Sequence, residues 1–402
     1  MTCGEFLMRK IVLYLQYTSP ANYPPLEHSG LILLNAGWEV SFFGVQSEGE
    51  SRELILPGPL AARQNLWSYQ PSGLRQKLQF ICFTVKALLM VLGRGTTWVY
   101  CSDLLSCPAA WLIGCLTRCR VLYHEHDSPE DGTWQPKASA APAPVSPFQR
   151  FLLWTRRQVG RDADLVVLPN QVRLAAFVMH TRRSGSSFCV WNCPRQGDDR
   201  VRGGVVGNAG ILRLAFHGSI NGDRLPLTLL AAMKRFPGRI HLSVVGYETL
   251  GLTGYLAEFL QEADRLGVAA QVEFIGVLPA RRELLDQVAT CDVGLAFMPL
   301  RGGDINMTNM TGASNKPFDY LACELALLVS ARSDWETMFV RPGFGLSCNP
   351  GDVNDMARQL QWFLDHPAET REMGRRGRRK ILTDWNYESQ FAPVLAGLAC
   401  TI

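Results

Sequence analysis

Short runs of Val, Ile, Leu and Phe recur along the chain, separated by stretches in which apolar residues return every three or four positions. The first pattern predicts buried strands and the second amphipathic helices, and their alternation predicts parallel α/β units. In the first half the strand candidates are KIVLYLQY, WEVSFFG, TWVYCS, RVLYHEH and DLVVLPN, with helical stretches between most of them. The segment 194–210, PRQGDDRVRGGVVGNAG, gathers Pro, Gly and charge without a period and reads as a linker. The alternation then restarts. RLAFHGS, IHLSVVG, VEFIG, VGLAFMP, LALLVS and GLSCNP alternate with helical LPLTLLAAMKRF, YLAEFLQEADRLG, PARRELLDQVATC, KPFDYLACE and VNDMARQLQWFLDH. The expected fold is α/β, with two doubly wound Rossmann-like domains facing across a cleft. They span 1–195 and 211–385, joined by a linker at 196–210, with a final helix at about 386–402 packing back on the first domain. Ligands of such domains bind outside the carboxyl ends of the strands, so the chemistry is expected in the loops that follow strands.

Composition narrows this picture. A chain of 402 residues, 47% apolar and 19% charged, is long enough for two cores and too apolar for disorder. A net charge of +4 is too mild to argue for a nucleic-acid partner. The twelve cysteines are scattered, and the opening MTCGEFLMRK carries no apolar signal region, so free thiols and a cytoplasmic location are expected. The apolar run Leu78–Gly93 contains Lys86 and falls short of the ~20 residues that span a bilayer. PKASAAPAPVSP, 136–147, reads as a flexible loop.

Candidate chemistry is densest at SNKPFDYLACELALLVS, 314–330. Pro317 stands where a helix begins, and Ser314 or Asn315 can cap it, which leaves free N–H groups and a positive dipole end directed into the cleft. Lys316 beside that end adds a full charge for a phosphate, and Asp319 can accept hydrogen bonds from ribose hydroxyls. A phosphate next to a ribose means a nucleotide. The alternative is that Asp319 only complements the helix dipole, worth ~0.3–1 kcal/mol, while Lys316 is solvated. These residues alone leave both readings open.

From Leu214 to about Tyr387, the stretches AFHGSINGDRLP, HLSVVG, VEFIGVLPARRELLDQVATCDVGLAFMP and NKPFDYLACE resemble the donor-binding domain of GT-B retaining glycosyltransferases. These belong to the large group that includes bacterial polysaccharide and glycolipid glycosyltransferases. NKPFDYLACE is similar to that group's N-K-hydrophobic-hydrophobic-E-Y-x-A segment, and RVLYHEHDSPED resembles its strand-end His-Asp. The resemblance implies the GT-B architecture and a set of roles. Asp319 would hold the donor ribose, while Lys316 and the helix start at Asn315 would lie against the diphosphate. The loop with Gly218, Ser219 and Arg224 would reach the diphosphate as well, and the base would sit near Val277 and Leu278. His126 and Asp127 would face the transferred sugar or the acceptor.

The chain departs from the group's pattern at several places. The position eight before Asp319 is Thr311 rather than an acid, with Asp304, Asn306 and Asn309 as stand-ins. Ser219 replaces a cation, TSPANYPPLEH replaces a Gly-rich loop, and Glu324 takes a Gly position that favours positive φ. The implied activity is transfer of a sugar from a UDP- or GDP-type donor, with retention, to a saccharide or lipid-linked acceptor in cell-surface polysaccharide or glycolipid synthesis. It would need no cofactor and no metal. A nucleotide-sugar 2-epimerase of the same architecture and a catalytically weak nucleotide-sugar-binding partner subunit are the rival readings.

Other motifs give weaker expectations. His124 and His126 lie on one side of an extended strand and could hold zinc, but Ser128 and Pro129 break the H-x-H-x-D-H pattern. CLTRC and CVWNC are C-x3-C pairs without further clustering, which fits packing better than metal. RRGRRK, 375–380, reads as a solvated helix face. LRQKLQFICFTVKALLMVLGR and FQRFLLWTRRQ mix apolar and basic residues, which fits either core helices with snorkelling cations or peripheral contact with an anionic membrane.

Overall fold

The computed structural model describes residues 10–129, 146–201, 210–248, 253–301 and 303–400. Two sheets form, both parallel throughout. The first contains β1 (Ile11–Gln16), β2 (Glu39–Val45), β3 (Gln64–Trp67), β4 (Trp98–Ser102), β5 (Arg120–His124), β6 (Leu165–Leu168) and β7 (Ser186–Cys189), in the order β3-β2-β1-β4-β5-β6-β7. The second contains β8 (Leu212–Ile220), β9 (Ile240–Glu248), β10 (Val272–Gly276), β11 (Val293–Ala296), β12 (Ala326–Ser330) and β13 (Gly345–Cys348), in the order β10-β9-β8-β11-β12-β13. Each order reverses direction once, between β1 and β4 and between β8 and β11. Those reversals are the switch points where doubly wound folds open a crevice.

The expected interior strands are all present. Hydropathy did not single out β3 and β7: both are four-residue edge strands, QNLW and SSFC, whose side chains are largely half-buried or exposed. Edge strands carry little of the continuous apolar signal that marks interior strands.

The longer helices are α1 (Pro24–Asn35), α2 (Leu74–Arg94), α3 (Cys107–Leu116), α4 (Pro147–Asp162), α5 (Gln171–Thr181), α6 (Leu227–Met233), α7 (Tyr255–Leu266), α8 (Arg281–Val288), α9 (Asn315–Ala322), α10 (Val353–Asp365), α11 (Pro367–Thr383) and α12 (Tyr387–Cys400). Because strand side chains alternate between faces, Leu13 and Leu15 enter the core under α2–α5, while Val12 and Tyr14 face the other side with Leu26 and Leu33 of α1. Tyr387, Phe391, Val394 and Leu398 of α12 join that second core beside Leu165 and Val167, so the end of the chain is built into the first sheet. Leu214 and Phe216 of β8 pack with α6, α7 and α10, and Ala215 faces Leu285 of α8 and Leu321 of α9.

The linker expected at 196–210 is described as far as Val201, where Arg200 N–H donates to the Ala322 carbonyl at 3.0 Å; residues 202–209 lie outside the described residues, as does most of 136–147. Glu324 adopts the expected left-handed backbone, with φ 62° just beyond α9. At 21 residues, α2 is longer than its apolar run, and it is long and apolar enough to cross a bilayer by length and composition. In this fold, however, Phe80, Phe83, Ala87, Met90 and Val91 are packed into the first core.

Candidate functional site

Between the two domains lies a cavity at the carboxyl edge of the second sheet. Its wall there consists of His217 and Gly218 of β8, Val245 to Tyr247 of β9, Val277 to Pro279 after β10, Arg281 of α8, and Asn315 and Asp319 of α9. The facing wall comes from Asn22, Pro24 and Glu27 near the start of α1, and from Leu54 and Ile55. The Ile55 N–H donates to the Pro279 carbonyl at 3.0 Å and ties the two walls together. The cavity measures about 160 Å³, below the ~300 Å³ at the lower end of small-molecule sites. A nucleotide sugar therefore needs the walls to part.

Its floor is a buried charge network. Asp319 is fully buried, and both its carboxylate oxygens accept from Arg281, one of them at 3.2 Å from Nη1, with His217 Nε2 3.4 Å away. Arg281 Nε also lies 3.7 Å from Asp198, which in turn pairs with Arg195 at 3.1 Å and faces His28 at 3.5 Å. Burial raises the pKa of Asp319 against the pull of Arg281, and burial likewise raises that of Glu27. The histidines are pushed the other way: His28 and His217 are held well below their ordinary range, first by burial and then by nearby cations, so both are neutral. Asp319 lines the cavity as well, and the Arg281 fork takes up part of the acceptor capacity of its two oxygens. Arg281 itself gave no local signal in the sequence. PARRELL reads as an ordinary helix start, and the pairing joins residues 38 positions apart.

Beside the network the structure brings together Gly218, Ser219, Arg224 and Lys316. Gly218 and Gly246 face each other across β8 and β9, and a Cβ on Gly246 would meet the Gly218 carbonyl oxygen at 2.0 Å. Gly218 has φ 102°, and a Cβ there would lie 3.1 Å from Lys316 Nζ, so the strand end is shaped to let Lys316 pass. The Lys316 ammonium lies 5.6 Å from the Phe216 ring centroid. Burial, then the charge of Arg224, push its pKa down to about 7. Arg224 donates to Ser219 Oγ at 2.5 Å. Among the described residues neither cation has a carboxylate within ion-pair distance. The helix start at Asn315 also belongs to this wall, and Ser314 at its N-cap makes no side-chain capping bond. Val277 and Leu278 line the cavity.

The structure does not bring Asn309 and Thr311 to the cavity. The Asn309 carbonyl accepts from Arg173 Nε at 3.0 Å, and its amide donates to the Ile305 carbonyl. The Thr311 hydroxyl donates to Asp334 at 2.6 Å, and its carbonyl accepts from Asn170 at 2.7 Å. Asn306 is held by Ser128 in a reciprocal pair of hydrogen bonds, at 2.9 and 2.8 Å, and Asp304 caps a short turn through Met307 N–H. Arg173, buried on α5, is the clamp: it also donates to the carbonyls of Asn306 and His126. This loop therefore straps the domains together and leaves the position of the missing acid unfilled.

A second cluster sits at the switch point of the first sheet. His126 Nε2 meets Ser102 Oγ at 3.1 Å, and its ring lies 4.9 Å from Tyr23 and 4.0 Å from His124. Burial pushes its pKa to about 3, so the ring is neutral. His124 is fully buried, and its Nδ1 bonds the Tyr100 hydroxyl at 2.6 Å; the pair expected as a metal alternative is thus engaged with Tyr100 and Ser102. Glu125 is bound by Arg156 at 2.5 and 2.7 Å. Asp127 is largely exposed, 3.6 Å from Arg173.

Sequence reasoning missed Asp103. It follows β4 with φ 58° and ψ 175°, a region almost exclusive to glycine. Its carboxylate accepts from the His126 N–H at 2.9 Å, and its own N–H donates to the His124 carbonyl at 3.0 Å. Burial, reinforced by Asp127 and Glu125, raises its pKa to about 8. A strained, half-buried acid at a sheet's carboxyl edge is a common mark of function. The only signal in the sequence was its place immediately after a strand.

Residues 227–396 match the protein family described as glycosyl transferase-like. Solved structures share the fold over nearly the whole chain. Sucrose-phosphate synthase from Thermosynechococcus elongatus is 16% identical with a TM-score of 0.69, covering 98% of this chain and 100% of its own. Anabaena HepE in complex with UDP-glucose is 14% identical with a TM-score of 0.69, covering 97% and 99%. WaaG, a glycosyltransferase involved in lipopolysaccharide biosynthesis, is 12% identical with a TM-score of 0.64, covering 96% and 98%. No curated protein matches at a significant level.

Proposed function

We propose that this chain, whose residues 227–396 match the glycosyl transferase-like family and whose fold is shared with solved glycosyltransferases, is itself a glycosyltransferase that transfers a sugar from a nucleoside diphosphate donor, with retention and without a metal ion. The observation that carries this reading is the convergence of Lys316, Arg224 and the N-terminus of α9 on Gly218, with no carboxylate within ion-pair distance of either cation among the described residues. A diphosphate supplies the missing charge, and its developing negative charge in the transition state is met by preorganised donors, each worth ~3–4 kcal/mol. Those cations take the role that a divalent ion plays elsewhere.

The base lies against Val277 and Leu278, and the donor is of the UDP type, as in the HepE complex. Arg281 and Asp319 act as one unit that fixes the pocket floor, with Arg281 the member facing the ligand. His126 and Asp103 hold the acceptor hydroxyl at the first sheet, and the departing phosphate takes its proton on the leaving-group face. The acceptor is a saccharide or a lipid-linked saccharide of cell-surface polysaccharide or glycolipid synthesis.

Titration calorimetry with UDP and GDP, with and without EDTA, tests the donor reading. Micromolar binding of one nucleotide that survives EDTA and weakens at least tenfold in Lys316→Ala supports it. Binding that vanishes with EDTA overturns the metal-free reading. Product analysis with the donor that binds separates transfer from 2-epimerisation.

A further inference from the structure

The longest helix of the first domain is apolar on two opposite faces. One face of α2 carries the core residues Phe80, Phe83, Ala87, Met90 and Val91. On the other, Leu74, Leu78, Ile81, Val85, Leu89 and Leu92 are 47–73% exposed. At ~100° per residue these six fall within an arc of about 80°, a continuous stripe along the helix. Scattered exposed leucines are ordinary, but an aligned row of this length marks a contact surface.

The charge around the stripe identifies what covers it. Arg75 and Lys86 border one side and Lys77 the other, Arg94 closes the end, and α2 contains no acidic residue. Phe148 and Phe151 of α4 are also exposed, and Phe148 packs edge-on at 5.3 Å against Phe80, on the core-facing side of α2 and apart from the stripe. A second copy of the chain laid on this face would bring the same cations together, which like-charge repulsion opposes. A bilayer with anionic headgroups accepts both the apolar row and the flanking ammonium and guanidinium groups.

We propose that α2 docks the protein on an anionic lipid surface, the helix lying in the interface plane. The geometry orients the cleft. The Tyr17 hydroxyl, just after β1, donates to the Gln76 carbonyl in the first turns of α2 at 3.4 Å, so the leading end of the docked helix stands at the carboxyl edge of the first sheet. A lipid-linked acceptor then reaches that edge from the membrane. The docking surface stands independently of the donor site, since none of its residues lines the inter-domain cavity.

The test is flotation of the full chain with vesicles of phosphatidylcholine alone, or of phosphatidylcholine with about one third phosphatidylglycerol. The wild type is expected to bind the anionic vesicles at least tenfold more strongly, and 0.5 M salt is expected to weaken that binding. Ile81→Glu/Val85→Glu is expected to lose it at least tenfold, with the thermal transition and nucleotide binding unchanged because both side chains face solvent. Lys77→Glu/Lys86→Glu is expected to do the same, while Met179→Glu, at an exposed apolar position away from the stripe, has no effect. Equal binding to both vesicles, or binding indifferent to the stripe substitutions, overturns the proposal. So does a concentration-dependent dimer that Ile81→Glu/Val85→Glu dissolves in the absence of vesicle binding, which would make a second copy the occupant.

Discussion

Arg281 grips both carboxylate oxygens of Asp319 at the floor of the inter-domain cavity, where Glu27 lines the facing wall and Asp198 lies 3.7 Å from Arg281 Nε. Removing one member strands the other. Asp319→Asn is expected to cost ~3–5 kcal/mol, the range for breaking a buried pair, and Arg281→Met a similar amount. The double variant should cost less than the sum, because neither charge is then left alone. Urea denaturation of the four proteins measures this, and strictly additive losses would show that the two side chains act separately.

Lys316 gives the site a pH dependence of definite sign. Its pKa is lowered to about 7 in the free protein, and a diphosphate beside it favours the ammonium and raises the value again. Binding should therefore take up a proton above pH 7, and UDP affinity should fall by up to tenfold per pH unit between 7 and 9. For folding the sign is opposite. The unfolded lysine holds its proton up to about 10.4, so between about 7 and 10 the unfolded state binds more protons, and the contribution of Lys316 to stability increases with pH. Calorimetry at pH 8 in buffers of different ionisation enthalpy reads the proton uptake, which should disappear in Lys316→Arg.

The contrast between Lys316 and Arg281 shows what the sequence made legible. Lys316 was readable because capping residues, a proline and a charge stand together in one short segment whose helical start is dictated locally. The interior strands were readable for a related reason: interior strands of parallel sheets are apolar on both faces. Arg281, Asp103 and the Arg173 clamp were not. Each acquires its role from contacts far away in the chain, Arg173 with Asn306 and Asn309 more than 130 positions on, and no local pattern encodes such a pairing. The expectation for Asn309 and Thr311 failed for the same reason, since Arg173 and Asn170 capture their carbonyls.

The paired glycines at the ends of β8 and β9 should differ in sensitivity. In Gly246→Ala the new Cβ meets the Gly218 carbonyl oxygen at 2.0 Å, so one strand must shift. A loss of at least ~2 kcal/mol is expected, in line with overpacking. In Gly218→Ala the nearest atom is the mobile end of Lys316, at 3.1 Å, and the positive φ costs ~1–3 kcal/mol. That variant should fold yet bind UDP at least tenfold more weakly, because the methyl group displaces the ammonium. Thermal melts with and without UDP separate the two outcomes.

Asp103 allows stability and activity to be pulled apart. Its backbone at φ 58° and ψ 175° stores ~1–3 kcal/mol of strain, which Asp103→Gly releases at the cost of the bond to His126 N–H, worth ~0.5–1.5 kcal/mol at neutral pH, where the acid is mostly protonated. Stability should then stay within ~1–2 kcal/mol of the wild type while transfer falls at least ~10-fold, the scale of a lost charge-assisted hydrogen bond to the acceptor hydroxyl. Asp103→Asn keeps an oxygen for the His126 N–H but cannot ionise. With a pKa raised to about 8, the carboxylate forms only in the upper physiological range, so the wild-type transfer rate should climb through pH 8. In Asp103→Asn that climb should be absent, with the donor KM unchanged. A pH–rate profile of both proteins decides the matter, and a climb that persists in the asparagine variant would assign the ionisation to another group.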